Sequence, residues 1–291
     1  MHFLLKQVLL LLTPLLFYLA VLPVQAMQAV VPDEQEASIE PEQLFKSYQE
    51  RYAQAAEQAA NAKHDLIDDQ GLSKRQGTAA KLARSGGPGK NKIKTQLNPI
   101  LDELHEALIP THEEIVAVDQ GLSEDRQALL TAGFKEKEIT RIERVVNLYL
   151  VCDSSRDREI IAENHRLRPE LTTVEADAID LCNLRRLLLG MNPLKIDMKL
   201  VAASRDHSKD MVEHKFFSHT SPVEGKRRFT KRANNFGTSA SAENIAKGYD
   251  NGWNLFKGWW ESPGHLKNMM RGAKRVGIGQ HKKHYTMMIG G

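Results

Sequence analysis

The 11 histidines and 2 cysteines of this chain are the side chains best suited to chemistry, and their sequence neighbours say which of them can do any. His265 ends the run Ser262-Pro263-Gly264-His265, which has the composition of an N-cap followed by the first three positions of a short helix. The positive end of such a helix disfavours a charged imidazolium, and an imidazole held neutral keeps a lone pair for a metal or a proton. His207 and His214 share a helical face with Leu200 and Met211, which places His207 in a core or pocket wall and His214 near an exposed helix end. His64, His105, His112 and His165 lie among charges and read as solvated, as do His281 and His284 around a lysine pair. Cys152 and Cys182 stand 30 residues apart, a separation that permits a disulfide outside the cytoplasm and equally permits two buried thiols. Lys226, Arg227, Arg228, Lys231 and Arg232 put five cations in seven residues. Such a run is a solvated helix face or an attractor of anionic envelope polymers and acidic membranes. No nucleic-acid-binding pattern accompanies it, so nucleic acid is not an expected partner. Ser218, Ser221 and Ser262 lie near histidines, but no nucleophile-elbow motif surrounds any of them.

These residues need elements to position them, and 291 residues allow one large domain or two ordinary ones. With 41% hydrophobic and 26% charged residues the chain is neither collagenous, wholly disordered nor polytopic, and two cysteines cannot staple a small scaffold. The net charge of +3 hides an asymmetry: from Cys182 onward there are 20 Lys and Arg against 8 Asp and Glu, leaving 20 against 29 before it. Residues 1–26 have the order of a secretory signal: Lys6, an uncharged stretch from Val8 to Leu22, and Val24-Gln25-Ala26 as the cleavage site. After cleavage no membrane-spanning segment is expected, and the mature protein belongs outside the cytoplasm, secreted or in the periplasm or cell envelope. Residues 27–41 read as an acidic tether. Residues 42–170 carry apolar stripes at helical spacing and read as a helical region, interrupted at 71–92 by a basic, Gly-rich loop. Residues 171–291 change style, with a capped start at Thr172-Thr173-Val174-Glu175, a helix over about Lys199 to Lys215, and a terminal hairpin around His281–His284.

In this second part several pieces follow one another in a familiar order: Asn183-Leu184-Arg185-Arg186 with Gly190 and Asn192-Pro193-Leu194; Ala203 with His207-Ser208-Lys209-Asp210-Met211; Phe217-Ser218-His219-Thr220-Ser221-Pro222; Ala242-Glu243-Asn244-Ile245-Ala246; Trp259-Trp260-Glu261-Ser262-Pro263-Gly264-His265; and Val276-Gly277-Ile278-Gly279. Together they resemble the CAP superfamily, the SCP-like extracellular domain named for cysteine-rich secretory proteins, antigen 5 and pathogenesis-related proteins, in its disulfide-poor bacterial form. The resemblance covers about residues 176–291. It implies an α+β fold, a C-terminal α-β-α sandwich with a mostly antiparallel sheet, here preceded by the all-helical region. It also implies a cleft with two histidines and two glutamates. Residue by residue these fall on His219, Glu243 and His265. The place of the second glutamate holds Ser262, with Glu261 one residue earlier and about 100° away on a helix. His207 is a further cleft-wall candidate.

Two readings of function follow from the resemblance. One is an extracytoplasmic binding module whose His/Glu cleft takes a peptide, a lipid or an anionic cell-wall ligand. The other is a peptidase-like hydrolase with Zn²⁺ or another divalent cation on His219 and His265 and with Glu243 as general base. A third reading gives the function to the helical region, as an oligomerising or partner-binding coil.

Overall fold

The computed structural model describes residues 40–64, 69–86 and 90–291; the signal-like segment and nearly all of the acidic tether lie outside the described residues. In chain order the elements are α1 (Pro41–His64), α2 (Asp69–Arg84), α3 (Asn98–Leu108), α4 (His112–Val118), α5 (Gly121–Thr131), α6 (Glu136–Leu150), α7 (Ser155–Leu167), α8 (Thr173–Leu188), β1 (Lys195–Ile196), α9 (Met198–Glu213), α10 (Phe229–Asn235), β2 (Ala242–Lys247), α11 (Gly252–Trp260), α12 (Pro263–Met269), β3 (Arg275–His281) and β4 (His284–Gly290). Among the described residues no helix is long and apolar enough to cross a membrane.

The described residues divide into two compact units, one of residues 40–64 and 107–150 and one of residues 69–86, 90–106 and 151–291. The first is helical. The stripe that begins at Phe45 buries Tyr48, Tyr52, Ala55 and Ala59 on α1 against Ile115, Leu122, Leu129 and Val146. Phe45 stacks on Phe134 at 4.7 Å, and Arg51 is held between Asp119 and Asp125, each at 2.5 Å. Thr111 starts α4 with a capping box to Glu114, just past Pro110, where the preceding helix cannot continue.

The second unit carries the expected α-β-α sandwich. Its sheet has the order β1-β3-β4-β2, parallel between β1 and β3 and antiparallel elsewhere, with β2 at one edge. On one face α9 presses onto β3 so closely that a Cβ at Gly277 or Gly279 would collide with the helix backbone at Leu200–Val201 or Ser204–Arg205. Ser204 and Ser208 donate to the carbonyls of those two glycines. Side chains alternate along the strands, so Met288, paired with Gly277, joins Leu200, Ala203 and Ala233 under α9 and α10. The other face is covered by α8, α11 and α12.

Three expectations are corrected here. Residues 71–84, read as part of a mobile loop, belong to α2, because Ala79, Ala80 and Ala83 bury small side chains at helical spacing. The unit that holds the sheet also begins well before residue 171. Asn164 on α7 donates to the Leu194 carbonyl at 2.8 Å and accepts from Ile196 at 2.7 Å, which fixes β1. His165, read as solvated, is buried. Cys152 and Cys182 are both buried, reduced thiols; burial pushes them up to about 12 and about 11.

Candidate functional site

The cleft residues gather around the edge strand β2. Glu243 pairs with Met288 and therefore faces the α9 layer, while Asn244 faces the α12 layer. His219 lies on the loop after α9, and His265 on α12.

On the α9 side the Glu243 carboxylate is buried and fully engaged. One oxygen meets His219 Nδ1 at 2.9 Å, and the other accepts from Arg232 at 2.5 Å. Arg232 is itself fully buried. The same Arg232 nitrogen donates to the His219 carbonyl at 3.1 Å, and its second terminal nitrogen donates to the carbonyls of Lys226 and Arg227 at 2.7 and 3.3 Å. One guanidinium thus ties α10, the 219–227 loop and β2 together. The carboxylate orients the His219 ring so that Nδ1–H is the donor and Nε2 is turned from the pair; the His219 side chain is 53% exposed.

His207 is fully buried behind this loop, its Nε2 3.2 Å from the Ser218 carbonyl. Burial drives its pKa down to about 4; the Glu243 charge opposes the shift and the Arg232 charge adds to it. The ring is neutral and positions the residue that precedes His219.

On the α12 side, Ser262 occupies the N-cap position and Pro263 the first turn, as the sequence implies, so His265 is the third helical residue. The Ser262 side chain makes no capping bond; its carbonyl accepts from Leu266 at 2.8 Å. Asn244 donates to the His265 carbonyl at 3.1 Å, and Asn268 bridges back to Asn244 and to the Glu243 carbonyl at 2.9 and 3.2 Å. These amides lock α12 onto β2. The His265 pKa is lowered, first by burial and then by the neighbouring charge of His219, and its Nδ1 is buried without a hydrogen-bond partner.

The helix carrying His265 is braced from upstream. Trp260 Nε1 donates to Asn98 Oδ1 at 2.9 Å, Arg185 lies 5.8 Å over the Trp260 ring, and Lys94 faces Glu261 at 3.9 Å. Gly86, at φ +83°, comes so near the Pro263 carbonyl that a Cβ would sit 2.7 Å from it. Glu261 is the C-cap of α11 and its carboxylate faces Lys94. The five-cation run is not one surface: Arg232 is buried, and Lys226 is held by Asp206 at 2.7 Å and Asp210 at 3.1 Å. The sequence marks Arg232 only as one cation of that run; its pairing with Glu243, 11 residues on, is what sequence reasoning missed.

Among the described residues no three His, Cys, Asp or Glu side chains converge as metal ligands. Glu243 is engaged at both oxygens and His219 at Nδ1, which leaves two imidazoles as donors. Catalytic zinc sites use three protein ligands. The donor set does not fit such a centre.

Residues 179–287 match the CAP family model, described as the cysteine-rich secretory protein family. Two Bacillus subtilis (strain 168) proteins are similar. The uncharacterized membrane protein YlbC is 32% identical over 40% of this chain and 34% of its own length. The uncharacterized protein YkwD is 31% identical over 38% of this chain and 43% of its own. The chain thus spans less than half the length of either relative. A solved structure, an extracellular protein containing a SCP domain from Bacillus anthracis str. Ames, is 29% identical over 40% of each chain, with a TM-score of 0.38. Residues 179–287 form a CAP domain.

Proposed function

We propose that this chain is an exported binding module whose CAP cleft, presenting His219 and His265, holds a peptide, lipid or cell-wall ligand. The observation that carries this reading is the state of Glu243. A general base needs an accessible lone pair within reach of the proton it takes. Both oxygens of Glu243 are spent, one on a buried guanidinium and one on an imidazole N–H. Its role is to hold His219 in place. Two imidazoles of unequal exposure then offer hydrogen-bonding groups to a bound molecule. Export agrees with the signal-like order of residues 1–26 and with the secretory family that the domain matches.

The test is an assay of casein and cell-wall hydrolysis with and without added Zn²⁺, run beside co-sedimentation of the protein with purified envelope material. Binding that is lost in the His219→Ala/His265→Ala double variant, with no turnover above the buffer blank, is expected. Zn²⁺-dependent hydrolysis abolished by Glu243→Gln would overturn the proposal in favour of the hydrolase.

A further inference from the structure

Beyond the polar pair, the other side of β2 opens a cavity of about 240 Å³ next to His265. Its walls include Phe217, Ile245, Lys247, Tyr249, Trp259 and His265. They are chemically one-sided. Trp259 is almost wholly buried and satisfies its Nε1–H on the Ile245 carbonyl at 3.3 Å, so it offers only its ring face. Tyr249 lies against Gly258, where any side chain would collide with its hydroxyl. Phe217 is 41% exposed, an uncommon state for so large an apolar ring, and Lys247 Nζ lies 4.9 Å over it. No acidic residue lines the cavity. Lys247 has no carboxylate partner among the described residues, and the nearby Asp250 is taken by Lys283 at 2.6 Å. A cation at the rim of an aromatic hollow selects for a negative head on an apolar body. The volume is below the roughly 300 Å³ at which drug-sized pockets begin, enough for a single ring or branched chain.

We infer that this cavity is a subsite for a small carboxylate with an apolar body, its carboxylate on Lys247 and its body against Phe217, Tyr249 and Trp259. This inference rests on the binding-module reading and names a ligand class for it. The same chemistry is presented by a free aryl-alkanoic acid and by the C-terminal residue of a peptide.

The experiment follows tryptophan fluorescence of the full chain as 3-phenylpropanoate is added, with 3-phenylpropanamide as the uncharged control. Two further arms use an acetylated tripeptide ending in Phe, with a free and with an amidated terminus. Saturable binding of an acid, weakened about five- to tenfold in its amide and in Lys247→Met, supports the subsite. Tighter binding by the free-terminus peptide than by the simple acid assigns the source to peptides, and the reverse to small acids. Lys247 is exposed, so Lys247→Met is expected to fold. Equal affinity of acid and amide, equal affinity of Lys247→Met and the unaltered chain, or no saturation with either acid overturns the inference. Because His219→Ala leaves these walls intact, loss of envelope binding in that variant with retained acid binding separates failure of one reading from failure of the other.

Discussion

Arg232 and Glu243 form an ion pair at 2.5 Å in which both side chains are shut off from water, and the same guanidinium grips the carbonyl of His219. A buried pair of this kind is costly to break from one side, because the remaining charge is stranded. Arg232→Met is expected to lower stability by about 3–5 kcal/mol, while the double variant Arg232→Met/Glu243→Leu recovers much of the loss. Urea denaturation monitored by circular dichroism measures both. Equal destabilisation by the single and double variants would show that the guanidinium matters through its carbonyl contacts instead.

Acid should destabilise this domain well before its carboxylates protonate. His207 is neutral when folded, with a pKa of about 4, against 6.5 for an ordinary histidine. The unfolded chain therefore binds the proton first. The stabilising contribution is complete above about pH 6.5, declines as pH falls, and is gone below about pH 4. From this group alone the loss amounts to about 3 kcal/mol. The lowered pKa of His265 acts with the same sign. Stability measured in urea between pH 7 and pH 4.5 should fall on the acid side, and His207→Gln should flatten that slope. A slope unchanged in His207→Gln contradicts the assignment.

Both cysteines are reduced and buried, with thiol pKa values raised to about 12 and about 11 by burial. A thiol reagent such as Ellman's reagent should label neither in the native protein and both in urea, since the thiolate is the reactive form. Two thiols that stay unlabelled in urea without reductant would indicate a disulfide.

The order of motifs made His219 and Glu243 legible as a pair, bonded at 2.9 Å although 24 residues separate them. Local supports were legible too: the capping box at Thr172 and Glu175, and the Ser262-Pro263 start of the helix bearing His265. What stayed hidden depends on direction in space. In Lys226–Arg232 nothing in the sequence says which cation turns inward, and packing beneath α10 chose Arg232. In α2, Gly71, Gly77 and many basic residues read as a loop, yet three small alanines are enough to bury one face of a helix in its unit. The brace of Asn98, Lys94 and Gly86 on α11 and α12 joins residues far apart in the chain. A sequence without an alignment carries no signal for such contacts.

The account stands on His219 and His265 facing one cleft around the edge of β2. Its most direct test is an NMR titration of the His265 imidazole in the unaltered chain and in His219→Ala. Removing the neighbouring charge should raise the His265 pKa toward, but not to, the ordinary histidine value, because burial is the larger cause of its depression. A His265 titration that is the same in both proteins would place the two rings apart and contradict the shared cleft.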